Sequence, residues 1–176
     1  MPETADLKTL LQQPLLELLE GKGAHANPLG CTEDLSAALA RRRPEGHPCS
    51  VWEVVLHLNY WMEYDLKRVR GAPHPYPSHA ADSWPPLPPE SAKESWQQAV
   101  AQFAALLRDW QALCRVELES LMRPAVATRP AHSEQASSVL ALVIQTIAHN
   151  SYHVGQIVLV RRALGAWPSK RGGDTW

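Results

Sequence analysis

The sequence predicts an all-α protein that folds as a four-helix bundle with long connections. Four long segments repeat apolar residues at spacings of three and four, which is the helical period. No segment shows the alternation or the hairpin turns of strands, and proline-rich stretches separate the helical segments. We expect one bundle domain over residues 1–168, a length that suits a single core, and a flexible tail over residues 169–176.

The first half of the chain contains two of the long helices. A leucine repeat predicts a helix from about Glu3 to Gly21. A short helical piece is expected over Thr32–Arg43, with its first residue as the N-cap. The second long helix begins after Ser50 and runs to about Arg70, because Ser50 and the glutamate three residues later form a capping box.

The second half alternates prolyl connections with long helices. Residues 71–90 contain seven prolines and predict an extended crossover, with Trp84 packing down as an anchor. An amphipathic helix follows from about Glu90 to Leu121, and then a second prolyl loop over residues 123–134. The last helix is predicted from Ser137 to Leu164.

Composition excludes several kinds of partner. A net charge of −1 and a pI near 6.7 argue against a nucleic-acid or anionic-membrane surface, since either needs a basic excess. No apolar run reaches the ~20 residues of a membrane span, and the first residues lack a signal peptide, so we expect a cytoplasmic protein. Cys31, Cys49 and Cys114 suit neither a disulfide framework nor a zinc knuckle, and we expect them to be small packed residues.

The last helix is hydrophobic nearly all the way round. A helix of this kind is either central in its bundle or shared with a second subunit. Together with seven tryptophans in the chain, this pattern predicts a homodimer.

Two histidines stand four residues apart in the last helix, at positions 149 and 153. Their spacing advances the helix by ~400°, so the two imidazoles lie nearly above one another and can reach a single divalent ion. The pair supplies only two ligands, and buried histidines also occur as ordinary core residues. His57 lies at the border of the apolar stripe of the second long helix, where a ligand lining a cleft and a half-buried packing residue are equally natural.

Three stretches resemble the DinB/YfiT-like superfamily of metalloenzymes. They are residues 51–58, VWEVVLHL, residues 149–156, HNSYHVGQ, and residues 161–168, RRALGAWP. The resemblance implies a DinB-like four-helix bundle with a divalent metal, zinc or nickel, on His57, His149 and His153. It also implies a thiol-dependent S-transferase, in which a low-molecular-weight thiol attacks a small electrophile.

Several polar residues are candidates for supporting roles around such a metal. Glu53, one turn before His57, is expected to orient that imidazole. Glu53, Tyr60 and Asn150 are candidate catalytic residues, and Tyr64 and Gln156 are candidate residues of the wall around the site.

Two alternative functions remain open from the sequence. A metal-dependent hydrolase of a small substrate would need a general base, and Glu53 is the nearby carboxylate. A non-catalytic metal-binding protein of a stress response would need a closed site, which a fourth histidine could complete. The candidates for a fourth ligand are His47, His74, His79 and His132; we expect His74 and His79 to be solvated loop residues.

Overall fold

The computed structural model describes residues 6–22, 26–72, 74–89, 95–127 and 137–169, and this part of the chain is helical without strands. The helices are α1 (Leu7–Glu20), α2 (Ala37–Arg41), α3 (Val51–Val69), a 3₁₀ helix (Ala80–Ser83), α4 (Trp96–Cys114), α5 (Leu118–Met122) and α6 (Val139–Ala163). The longest are α1, α3, α4 and α6. Helix α3 packs against both α4 and α6, and α1 packs against the same two helices. The predicted all-α class is confirmed.

The ends of α1 and α3 follow from local capping. Asp6 accepts from the Lys8 amide at the start of α1, and Gly21 ends the helix with a φ of 73°. A side chain at Gly21 would collide with the backbone of residues 26 and 27, at 2.4–2.7 Å, so glycine is required there. The predicted capping box of Ser50 and Glu53 opens α3.

The short helix α2 begins later than predicted. Ser36, not Thr32, is its N-cap, and the Ser36 side chain accepts from the Leu39 amide. Thr32 is buried, and its hydroxyl donates to the Leu29 carbonyl at 2.9 Å. The preceding residues form turns instead of a helix, because the Thr32 hydroxyl is used inside that turn and cannot cap.

The predicted helix over residues 90–121 is two helices where the structure describes it; residues 90–94 lie outside the described ranges. Helix α4 starts after Ser95 and stops at Cys114, and α5 is a separate short helix. The Val116 carbonyl accepts from Gln12 Nε2 of α1 at 2.5 Å. Helix α4 has already ended at this point, since the amides of Arg115 and Val116 donate three residues back, to the Ala112 and Leu113 carbonyls, and the Glu117 backbone is extended.

One side of helix α6 packs on the core, and the opposite side is exposed to solvent. Its buried positions include His153, Val154 and Ile157, whereas Ile144, Tyr152 and Leu159 are 52–65% exposed.

All three cysteines are free and buried, as predicted. Ser169 is buried, and the rest of the predicted tail lies outside the described residues. Within the described ranges, no helix has the length and apolar character that crossing a membrane requires.

Arg161 fixes the end of α6 to the first half of the chain. Its side chain is 2% exposed and donates to the Cys31 carbonyl at 2.7 Å and to the Ala166 carbonyl at 2.7 and 2.9 Å. Nη2 also lies 2.8 Å from Asp34 Oδ1. A buried guanidinium is tolerated only when its donors are paired in this way.

We expect Arg161→Met to lower the free energy of unfolding by about 3 kcal/mol or more, because it leaves buried carbonyls and a carboxylate without their partner. Urea denaturation of the two proteins measures the difference. Arg162→Met, at the exposed neighbouring position, is the control and should change stability by no more than ~0.5 kcal/mol. Equal effects of the two substitutions would contradict this account of Arg161.

Candidate metal centre

Three histidines from two helices converge on one point. His57 comes from α3, and His149 and His153 come from α6. One ring nitrogen of each lies within 4.8 Å of the others. In the described part of the chain, no other group of three or more histidine, cysteine, aspartate or glutamate residues could hold a metal ion in this way. The Nε2 atoms of His57 and His149 are 3.2 Å apart. The structure therefore brings His149 and His153 of α6 together with His57 of α3.

Carbonyl oxygens hold the outer nitrogen of two of the rings. His57 Nδ1 lies 2.7 Å from the Ser83 carbonyl oxygen, and His153 Nδ1 lies 2.6 Å from Gln156 Oε1. Because a carbonyl oxygen only accepts, each Nδ1 must carry the hydrogen. Nε2 of each of these two rings then carries a lone pair, and that of His57 can accept a hydrogen bond from His149 Nε2 in the metal-free protein. This arrangement is the usual support of a metal-binding imidazole.

The spacing of the nitrogens fits a divalent ion. Two imidazole nitrogens at ~2.0–2.1 Å from a tetrahedral zinc are ~3.3 Å apart. The observed 3.2 Å between His57 and His149 agrees with that distance. The His149 and His153 rings lie on the same side of α6, as their four-residue spacing predicts, and meet edge to face with centroids 4.4 Å apart. The three residues could hold one divalent metal.

Burial keeps the three imidazoles neutral. Loss of hydration lowers the pKa of His57 and of His149 to about 4, from an ordinary 6.5. The pKa of His153 is lowered by burial too, against a raising effect of its hydrogen bond to Gln156. The neighbouring imidazoles add a smaller depression at His57 and His149. Neutral imidazole is the form that binds a metal.

Aromatic rings border the cluster. Trp84 of the crossover stacks on His57 with ring centroids 3.9 Å apart and an interplanar angle of 10°, and its edge approaches His153. Tyr152 lies at 5.0 Å from His153 in an edge-on arrangement. Trp84 is 36% exposed and Tyr152 is 65% exposed. The predicted anchor Trp84 thus packs directly on a histidine of the cluster, and solvent reaches both rings.

The expectation that Glu53 orients His57 is wrong. The Glu53 carboxylate is bound by the Arg43 guanidinium and by the backbone amide and hydroxyl of Ser50. Burial opposes its ionisation, but these hydrogen bonds together hold the pKa of Glu53 below its ordinary value. The partner of His57 Nδ1 is Ser83 instead.

The other polar candidates lie along the same helices. Tyr60 packs against Trp61 and stacks on Tyr64 with centroids 6.4 Å apart. The Asn150 amide nitrogen donates to Met62 Sδ at 3.4 Å, and its Oδ1 is buried without a partner among the described residues. Neither arrangement places a reactive group on a histidine of the cluster.

No fourth histidine joins the cluster among the described residues. His74 Nε2 contacts Lys67 Nζ at 2.7 Å, and both His74 and His79 are exposed, as predicted. His47 is half-buried in the loop before α3. His132 lies outside the described residues.

The sequence model of the DinB superfamily matches residues 23–157. The chain belongs to the DinB superfamily. The matched stretch contains all three clustered histidines, so the resemblance seen in the sequence is confirmed. No curated protein matches the chain.

Two supporting groups of this DinB-superfamily site differ in how visible they are in the sequence. Gln156 stands three residues after His153, on the same side of α6, so its contact follows from helical spacing. Ser83 acts through its backbone carbonyl, which any residue could supply. Only the path of the crossover brings that carbonyl to His57, and no side-chain pattern could indicate it.

We expect the metal-free protein to lose stability as the pH falls from 6.5 to about 4. The pKa of His57 and His149 is about 4 in the folded chain and near 6.5 when unfolded. The unfolded chain therefore takes up protons in this window that the folded chain does not, which favours unfolding as the pH drops. Above the unfolded pKa neither state is protonated, and the stability is fully retained.

Denaturation with urea at several pH values, in the presence of a chelator, measures this dependence. His149→Gln removes one of the depressed groups, so its stability should decline less steeply over the same window. Identical slopes in the two proteins would show that the cluster does not control the acid sensitivity.

Proposed function

We propose that the protein binds one divalent metal ion through the Nε2 atoms of His57, His149 and His153 and acts as a thiol-dependent S-transferase on small electrophiles. The observation that carries this proposal is the convergence of three neutral imidazoles, with the outer nitrogens of two of them held by carbonyl oxygens. Three neutral ligands would leave a zinc or nickel ion its full charge and an open position. A bound ion of this kind supplies a Lewis acid that lowers the pKa of a thiol or a water.

The residues around the cluster have distinct roles in this proposal. Ser83 and Gln156 keep the His57 and His153 rings in the tautomer that presents Nε2. Trp84 covers the face of His57 and keeps water from that side of the cluster. Tyr152 packs edge-on against His153 from the outer side of α6.

The surroundings favour thiol transfer over hydrolysis. Hydrolysis requires a general base beside the metal, and Glu53 is the carboxylate predicted for that role from the sequence. That carboxylate is bound to Arg43 and Ser50. The groups that shift the pKa of the three histidines are one another, Ser83 and Gln156, all of them without negative charge. A thiol that ionises on a metal needs no such base, since its own pKa is within reach of neutrality.

An open site also favours chemistry over a purely structural ion. Structural zinc sites normally have four protein ligands. The described histidines outside the cluster lie elsewhere, and His74 is engaged with Lys67. Three free, buried cysteines support a reducing, cytoplasmic setting in which low-molecular-weight thiols are available.

The test is metal content and thiol response in one set of proteins. Cobalt-loaded protein should carry about one ion per chain by elemental analysis, because one cluster is available. His153→Ala should lose it, since only two imidazoles remain. His74→Ala is the matched control, an exposed histidine with the same substitution, and should keep full occupancy.

Adding 2-mercaptoethanol to the cobalt-loaded protein should change its near-ultraviolet absorption, because the sulfur then reaches the ion. The His74→Ala control should respond in the same way. Full metal occupancy without a thiol response, together with metal-dependent cleavage of an activated ester, would support the hydrolase instead. If wild type, His153→Ala and His74→Ala all lack metal, both the S-transferase and the hydrolase hypotheses are refuted.

We also propose that two copies pair through the outer side of α6. Ile144, Tyr152 and Leu159 lie within ~80° of one another around the helix and are largely exposed. An apolar stripe of this length is typical of a protein–protein contact.

Sedimentation equilibrium at micromolar concentration should give a dimer, and Leu159→Lys should shift it to monomer. Leu10→Lys is the matched control, because Leu10 and Leu159 are both 59% exposed. A monomeric wild-type protein would refute the pairing.

A further inference from the structure

The crossover is inserted into the bundle at the histidine cluster. Of its described residues, 74–89, Ser83 alone is buried, with 3% of its surface exposed. The Ser83 carbonyl accepts from His57 Nδ1, and the next residue, Trp84, stacks on the same imidazole. We call residues 79–84 the strap. The buried attachment of the strap is therefore to a side chain of the cluster.

Hydrogen bonds within the strap hold it together as one unit. The amides of Asp82 and Trp84 each donate to the carbonyl three residues earlier, both at 3.0 Å. The Ser83 hydroxyl donates to the carbonyl three residues before it, at 2.7 Å. Because these bonds join consecutive residues into one turn, the Ser83 carbonyl and the Trp84 ring are presented to His57 together.

The two contacts constrain the His57 ring in different ways. The Trp84 and His57 ring centroids are 3.9 Å apart at an angle of 10°, so the indole fixes the plane of the imidazole. An imidazole N–H points along its ring plane, so the 2.7 Å bond to the Ser83 carbonyl fixes which edge of the ring faces the cluster. Trp84 also meets His153 of α6 edge-on, with centroids 5.8 Å apart. The strap thus contacts histidines from both helices.

Both contacts of His57 would be stronger in the metal-loaded protein than in the metal-free protein. When Nε2 binds a divalent ion, the imidazole loses electron density, and Nδ1–H becomes a charge-assisted donor to the Ser83 carbonyl. The ring then carries part of the positive charge, and a cation over the face of an indole is attracted by its π electrons. This difference in contact strength couples metal binding to docking of the strap.

We propose that metal binding and docking of the strap stabilise each other, and that Trp84 is the positioning residue that couples them. The inference rests on the metal binding of the proposed function, not on its thiol chemistry. Since linkage is reciprocal, the factor by which the docked strap tightens metal binding equals the factor by which the metal tightens docking. Partners that orient metal-binding histidines are typically worth about 10- to 100-fold in metal affinity.

The first measurement is the Kd for zinc, obtained by competition with a chromophoric chelator. Trp84→Ala removes the stack on the imidazole and should raise the Kd by about tenfold. Trp84→Phe keeps an aromatic ring at this position and should stay within about threefold of wild type. Tyr76→Ala is the matched control and should stay within about twofold. Tyr76 and Trp84 are both 36% exposed on the crossover, but the Tyr76 ring contacts Trp61 and Tyr64.

The second measurement is amide hydrogen exchange at Asp82 and Trp84, whose amides form the hydrogen bonds of the strap. Zinc should slow the exchange of both amides by about tenfold or more in wild type, because the loaded cluster holds the strap closed. In Trp84→Ala, the slowing should decrease by about the factor by which the affinity fell. Tyr76→Ala should keep the wild-type slowing. A purely structural role of Trp84 would not make exchange in the strap depend on zinc.

Two kinds of result would overturn this inference and leave the proposed function intact. One is zinc binding by wild type with an unchanged Kd in Trp84→Ala, or with exchange at the two amides unaffected by zinc. The other is an equal loss of affinity in Trp84→Ala and Tyr76→Ala, or in Trp84→Ala and Trp84→Phe, because the stack on His57 would then not be responsible. Failure of wild type to bind zinc would contradict the proposed function and this inference together.

Discussion

The pair of hydrogen bonds from His57 to the Ser83 carbonyl and from His153 to Gln156 is the constraint on which the site depends. Each bond fixes a proton on Nδ1, so that Nε2 of His57 and of His153 carries the lone pair that a metal requires. Without this arrangement, two Nε2 atoms 3.2 Å apart could both carry hydrogens and would repel. The crossover is therefore part of the site, because its 3₁₀ helix delivers the Ser83 carbonyl to α3.

Burial and neutrality act together around this constraint. The three imidazoles are partly withdrawn from water and have no carboxylate among the groups that shift their pKa, so they remain uncharged at neutral pH. A site of this kind would leave the positive charge of a metal unreduced, which suits ionisation of a thiol.

The sequence was sufficient for the features that depend on local periodicity. Helices α1, α3 and α6, the capping box at Ser50 and the four-residue spacing of two histidines all follow from neighbouring residues. The predictions were wrong where a residue from another element forms a hydrogen bond that the local sequence does not indicate. Just after the end of α4, Gln12 of α1 binds the Val116 carbonyl, and the Glu53 carboxylate is bound by Arg43, ten residues earlier. The role of Ser83 could not be predicted from the sequence, because Ser83 acts through its backbone carbonyl, which every residue has.

X-ray absorption spectroscopy of the zinc-loaded protein shows directly which atoms bind the ion. We expect three imidazoles and one or two further oxygen ligands at ~2.0–2.1 Å, with no sulfur, because all three cysteines are buried away from the cluster. Addition of a thiol should replace an oxygen by one sulfur at ~2.3 Å. Four protein ligands in the absence of thiol, or a spectrum that thiol leaves unchanged, would contradict an open three-histidine site for thiol chemistry.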